Sequence, residues 1–300
     1  MAQELATPTL DARTALSHRF FPRVRLIPAL PIVVLSVVVA AAVLAPWIAP
    51  HDAETGNLAN SFRPPAWQDG GSWSYVFGTD ANGRDVLSRL IYGSRIPVLV
   101  VLFGVVSTAI IGSAIGIASG YFGGVVDAIL MRVVDTFLSI PPILMAIAII
   151  GVLGSSLQNV IIVVVLTSWA GYARVIRGEA LRIRQSDHIG LARVAGCGPL
   201  RIMRVHILPE VTNTLVVLAT LSVATFILYE AALSFLGLGV RPPTPSWGSM
   251  ISEGRLHMTT AWWLTVVPGV AILLTCLSAN LLGDWLRDRL DPRLRNMGEQ

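Results

Sequence analysis

Side chains that do chemistry are sparse in this 300-residue chain, and their types already exclude a good deal. All 22 basic residues are arginines, for no lysine occurs. A Walker A phosphate loop, a Schiff base and a lysine general base are therefore unavailable. Any ATP and magnesium must sit on other polypeptides, and no cofactor is expected on this one. The histidines, His18, His51, His188, His206 and His257, are scattered without metal-ligand spacing, while Cys197 and Cys276 fall in a predicted loop and an apolar run. Neither a metal centre nor a disulfide framework is indicated by them. Asp80, Asn82, Gly83 and Asp85 resemble the start of a calcium loop but lack its remaining ligands and closing glutamate, so a turn and a helix N-cap is the reading. No H-E-x-x-H pair or facing aspartates suggest an intramembrane hydrolase.

Three charged positions stand out because they fall within apolar runs or enter them. Glu230 is the one acidic residue deep in its run, a carboxylate that faces either a polar lumen or a helix partner. Arg132 and Asp135 lie three residues apart and are expected to pair on one helix face near a membrane interface, a structural pair rather than a proton relay. Asp127 enters the same segment. A secondary transporter or channel needs a relay or filter of such groups, and the remaining runs are almost purely apolar.

The elements that must hold these residues are membrane helices. The chain is 54% hydrophobic and 13% charged, where soluble domains carry about a quarter charged residues. A hydrocarbon core about 30 Å thick takes about 20 apolar residues per helix. Six runs qualify: Ile27 to Ala49, Ile96 to Ser119, Val133 to Leu153, Val160 to Ala173, Asn213 to Gly239 and Ala261 to Leu282. The fold class expected is an all-α integral membrane protein with six transmembrane helices. Its parts are an N-terminal segment (1–26), a first helix (27–49), an outer segment (50–95), a five-helix core (96–283) and a C-terminal tail (284–300). Arginines precede the first run as they do in a signal peptide, but its length and Pro46 after Val43-Leu44-Ala45 favour an uncleaved anchor. Pro141-Pro142 must break or kink the third span. In the second span, Gly104, Thr108, Gly112, Gly116 and Gly120 make a smooth stripe suited to close helix packing. Before it, Thr79-Asp80 followed by Val86, Leu87, Leu90 and Ile91 predicts a short capped amphipathic helix at the outer face.

With the N-terminus inside, sixteen arginines flank the spans on the inner side and six on the outer. The positive-inside rule then places both termini in the cytosol. The pI of about 9.6 reflects these flanking arginines, and no aromatic-interleaved basic stripe points to nucleic acid. Lipid is the solvent expected around the chain.

The longest inner connection, residues 174–209, is basic and helix-compatible, and Gly196, Gly198 and Pro199 divide it into helix, turn and helix. Small residues Ala192, Ala195 and Gly196 leave a face on which another protein could dock closely. This loop resembles that of the permease subunits of bacterial ABC importers, with the pattern E-A-A-x3-G-x9-I-x-L-P. Gly190, Leu191, Ala192, Gly196, Leu208 and Pro209 occupy its positions, with Gly190 in place of glutamate, Leu191 in place of the first alanine and Ile207 displaced by one. A literal Glu230-Ala231-Ala232 lies inside an apolar run and lacks the spaced glycine. Phe77 through Arg95, Gly120-Tyr121-Phe122-Gly123-Gly124, Leu233 through Gly239, Trp247-Gly248 and the Gly283-to-Arg293 segment are similar to the dipeptide/oligopeptide/nickel permease family, specifically its C-type subunit.

The resemblance implies the type I importer architecture in a bacterial cell membrane. It also implies a non-catalytic half-channel that pairs with a homologous B-type permease, above two ATP-binding subunits or one fused ATPase and beneath an extracytoplasmic substrate-binding protein. Peptides are the cargo favoured by resemblance, with nickel chelates and haem as alternatives. The coupling loop implied comprises Gly190, Leu191, Ala192, Arg193, Gly196, Gly198, Pro199, Leu208 and Pro209, and Arg193 or Asp187 is expected to replace the missing glutamate. Glu230, Arg132 and Asp135 are the candidate intramembrane or pathway residues.

Overall fold

A computed structural model describes residues 28–290. The predicted N-terminal segment and the last ten residues of the tail lie outside the described residues. Within them the chain is helical apart from turns and a lone bridge between Thr79 and Asp85. Helix α1 spans Ala29–Ile48, α2 Val86–Gly93, α3 Arg95–Phe122, α4 Gly124–Ser139, α5 Pro142–Leu153, α6 Leu157–Arg184 and α7 Asp187–Val194. After the short α8 (Pro199–Arg201) and a π turn (Ile202–Ile207) come α9 (Leu208–Phe235), α10 (Trp247–Gly254) and α11 (Trp263–Leu290). Among the described residues, five helical stretches are long and apolar enough to cross a membrane, and the bent pair α4–α5, taken as one span, makes a sixth.

Three boundaries differ from expectation for local reasons. The third span begins at Gly124 and is broken at Ile140–Pro141, where α4 and α5 meet at 88°. Pro142 opens α5, a position where its missing N–H costs nothing. The short fourth run is the apolar part of a 28-residue helix that continues to Arg184, so the first eleven residues expected in the inner connection belong to α6. The amphipathic α2 forms as expected, but its N-cap is Asp85, whose carboxylate accepts from the Ser88 N–H. Asp80 is used elsewhere.

Helices α3 and α6 form the central pair. The α3 stripe is a packing surface: a Cβ on Gly112 would stand 2.4 Å from Tyr172 Cβ, on Gly116 2.6 Å from the Ala173 carbonyl oxygen, and on Gly120 2.7 Å from Ala180 Cβ. Only hydrogen fits there, which is how two backbones approach in a medium that supplies no hydrophobic drive. Gly104 faces Phe226 of α9 in the same manner. Helices α9 and α11 close the bundle, with Ala224, Ile227, Ala231, Ile272, Cys276 and Ala279 in their shared core. At one end the segment 50–85 and α10 form a cap, and at the other α7 shares a buried cluster with residues of α3, α6 and α9.

Candidate functional site

Helix α7 is two turns long, too short to persist without packing. Its inward face supplies that packing. Ile189 and Ala192 are buried against Ile202, Ile207 and Val211, with Ile176 and Ile183 of α6 and Tyr121 of α3 completing the cluster. The helix ends in a Schellman motif: Cys197 N–H donates to the Ala192 carbonyl and Gly196 N–H to that of Arg193, both at 3.0 Å. Gly196 holds φ +80°, the left-handed conformation a side chain resists. Gly198 then precedes Pro199, which opens the next helix at its first turn. Pro209 lies inside a helix that runs on into α9, where its ring would crowd the carbonyl one turn back. The π turn absorbs this with a wider loop, Leu208 N–H donating to Met203 five residues earlier. So the Gly and Leu-Pro of the predicted motif each perform a backbone task.

The structure corrects one element of the docking face. Ala192 is buried among the chain's own residues, so it is a packing residue and not part of a surface. The outward face of α7 carries Gly190, Leu191, Arg193 and Val194, and Leu191 and Val194 are 69% and 88% exposed. Beside them Leu181, Arg184 and Asp187 border an open concavity of about 850 Å³. Two interactions fasten the helix: His188 Nε2 lies 2.8 Å from Glu210 Oε1, and the Arg193 guanidinium stands 5.4 Å over the Tyr121 ring. Asp187 is exposed in the first turn.

The expected Arg132–Asp135 pair does not form. Asp135 instead meets Arg174 of α6, and Arg132 is exposed. The better-shielded pair is Asp127 with Arg177, whose Nε and Nη2 donate to the two carboxylate oxygens at 2.5 and 2.6 Å, while Ser119 Oγ donates to Oδ1. This fork joins α3, α4 and α6 at the α7 end. Asp127→Ala is expected to lower stability by about 1.5–3 kcal/mol, the range for hydrogen bonds to charged groups. Asp135→Ala, in a pair more than half exposed on both sides, is expected to cost less than about 1 kcal/mol. Unfolding midpoints of the two variants in detergent check this, and equal small losses would refute the distinction.

Glu230 is 1% exposed. Its Oε1 accepts from Ser234 Oγ at 2.6 Å, and Oε2 has no partner among the described residues. Helix α10 lies directly against this stretch, since a Cβ on Gly248 would fall 2.4 Å from the Ala231 carbonyl oxygen. Ser246 caps α10, its hydroxyl accepting from the Ser249 N–H. Of the two readings open for Glu230, the helix partner is the one its burial supports.

One cluster was not foreseeable from sequence spacing. Asp80, Arg84, Arg89 and Glu253 close a ring: Arg84 Nε to Asp80 at 2.7 Å, Arg89 Nη1 to Asp80 at 2.5 Å, Arg84 Nη2 to Glu253 at 3.0 Å and Arg89 Nη1 to Glu253 at 2.8 Å. Glu253 lies 164 residues from Arg89, so no local pattern announces it. The ring ties segment 50–85 and α2 to α10. Trp263 Nε1, donating to the Thr79 carbonyl, and Trp247 Nε1, donating to that of Leu90, strengthen the junction.

The bundle thus carries a short packed helix at one end and a braced cap at the other. Residues 112–296 match the model of the family described as binding-protein-dependent transport system inner membrane component, and the chain belongs to that family. It is an ABC-type permease subunit, a membrane component of a transport system and not an enzyme. It is 42% identical to the di/tripeptide transport system permease of Pseudomonas aeruginosa over 86% of each chain. It is also 41% identical to the dipeptide permease of Haemophilus influenzae, over 88% of this chain and 90% of that one. The glutathione transport system permease of Escherichia coli is 42% identical over 93% of this chain and 91% of its own. Among solved structures, the inward-facing MetNI methionine ABC transporter aligns with TM-score 0.56 and 20% identity, over 68% of this chain and 96% of that one, a likeness of fold.

Proposed function

We propose that the chain is one half of the translocation pathway of an ATP-driven importer of di- and oligopeptides, and that α7 is its coupling helix. The observation that carries the coupling role is the exposed apolar face of a helix whose opposite face and both ends are fixed. Leu191 and Val194 present two large apolar side chains, which a soluble partner would bury at about 25 cal/mol per Å². In this reading Leu191, Val194, Gly190 and Gly196 seat in a groove of an ATP-binding subunit. Nucleotide-driven closure then moves α7 as a rigid unit with the ends of α6 and α9, biasing the bundle between inward-open and outward-open states. ATP and magnesium are held by the partner, a homologous permease supplies the other half of the path, and an extracytoplasmic binding protein delivers cargo at the cap end. The arginine balance orients the bundle with α7 and both termini in the cytosol of a bacterial cell. The names of the relatives, which include dipeptide, di/tripeptide and glutathione systems, favour short peptides.

Arg193 lies over the Tyr121 ring while remaining exposed, and Asp187 is the exposed acidic group offered for the role of the missing glutamate. The test is ATP hydrolysis by the complex reconstituted with its permease, ATPase and binding-protein partners, with and without peptide. Leu191→Glu with Val194→Glu is expected to abolish peptide-stimulated hydrolysis while leaving the unfolding midpoint of the chain unchanged, and Asp187→Ala to reduce stimulation in part. Full stimulation in the double variant would remove α7 from the coupling role.

A further inference from the structure

Between the α7-side half of α3 and the π turn runs a groove of about 520 Å³ that the transport reading does not use. It is lined by Ala109, Ala114 and Ala118 of α3 and by Leu200, Met203 and Leu208. Ile110 and Leu200, which also line it, are 63% and 64% exposed. The lining is almost wholly apolar; Ser113 satisfies its hydroxyl by donating to the Ile110 carbonyl. The single charge is Arg204, exposed on the π turn and in no ion pair among the described residues. Arg204 lies within the π turn, Ile202–Ile207.

The dimensions match one leaflet. Ala109 is near the middle of α3 and Ala118 four residues from its end. At 1.5 Å per residue the stretch between them is about 14 Å long, against about 15 Å for half of a 30 Å hydrocarbon core. The groove is thus about as long as the acyl part of one leaflet, and Arg204 is the charged group on its lining. Basic pockets between spans at a membrane surface favour anionic headgroups, and a guanidinium's planar fork fits a phosphate.

We propose that this groove binds one anionic phospholipid, with an acyl chain along α3 and the phosphate against Arg204. The inference rests on the chain's spanning the membrane and not on its cargo or on α7 as the coupling helix. The test uses the full-length chain in bilayers containing photoactivatable analogues of phosphatidylglycerol or phosphatidylcholine, with crosslinked peptides mapped. Phosphatidylglycerol is expected to label the α3 and π-turn peptides about fivefold more than phosphatidylcholine, the factor corresponding to about 1 kcal/mol per surface arginine. Arg204→Gln, an exposed substitution, is expected to erase that preference, and Ala114→Trp to abolish labelling by both. Equal labelling by the two lipids, or a preference that survives Arg204→Gln, overturns the proposal. So does the loss of labelling on assembly with the partner permease if Ala114→Trp also blocks that assembly, since the groove is then a helix–helix interface.

Discussion

Asp80→Ala is expected to destabilise the cap by about 3–5 kcal/mol, the cost of removing one member of a buried charge pair. Asp80 is the hub of the ring. Its side chain is 5% exposed, Arg84 is 8% and Arg89 3%, so two guanidiniums are held away from water chiefly by this one carboxylate. Asp80 Oδ1 also accepts the N–H groups of Asn82 and Arg84 at 2.9 Å, setting the turn that leads into α2. Without it, both arginines depend on Glu253, which is 39% exposed and already shared between them. Glu253→Gln is expected to cost less, about 1 kcal/mol, because the amide still accepts hydrogen bonds and the site is half open to water. The difference is measured as the change in unfolding midpoint of the purified chain. Limited proteolysis of segment 50–85 gives an independent readout, since opening the ring should expose that segment before the bundle unfolds. A variant at Asp80 that resists proteolysis as the parent does, and melts within about 0.5 kcal/mol of it, would show that the ring does not hold the cap.

Much of the bundle is legible because membrane spans announce themselves by length and composition, and the boundaries fail where that signal stops. Val160 to Ala173 is the apolar part of α6, but Arg174, Arg177, Arg182 and Arg184 continue the same helix beyond it. Hydropathy ends where the charged residues begin, while backbone hydrogen bonding does not. The break at Pro141 is readable from covalent geometry alone. Gly196 and Pro209 are readable as motif positions, yet the reasons they are needed, a left-handed C-cap and a relieved π turn, emerge only with the backbone. Charge pairing is the least legible layer. The i,i+3 rule proposes Arg132 with Asp135, whereas the folded chain offers Arg174 and Arg177 on a neighbouring helix, and pairs across helices leave no local spacing. Ala192 fails for the opposite reason: a small residue is equally suited to a docking surface and to tight internal packing, and only burial distinguishes them.

Glycine substitutions in α3 and α6 are expected to change stability in opposite directions according to what each Cβ would meet. At Gly116 a methyl group would meet the Ala173 carbonyl at 2.6 Å and Ile176 Cβ at 2.9 Å, and both belong to α6 and cannot swing aside. Gly116→Ala must push the two helices apart along their contact, with an overpacking cost of about 1–3 kcal/mol. Gly116→Leu, which cannot be housed by a shift of a few tenths of an ångström, is expected to prevent assembly of the bundle, seen as loss of folded protein from the membrane. Gly178 lies on the same α6 helix and is exposed, with nothing among the described residues within 4 Å of its Cβ position. There Gly178→Ala removes only the conformational freedom of glycine, and is expected to stabilise by about 0.5–1 kcal/mol. Both variants place alanine in a helix, so propensity favours both equally. The sign of the difference between their unfolding midpoints therefore isolates the close approach of α3 to α6. If Gly116→Ala stabilised the chain as Gly178→Ala does, that approach would not be a constraint, and the stripe from Gly104 to Gly120 would need another explanation.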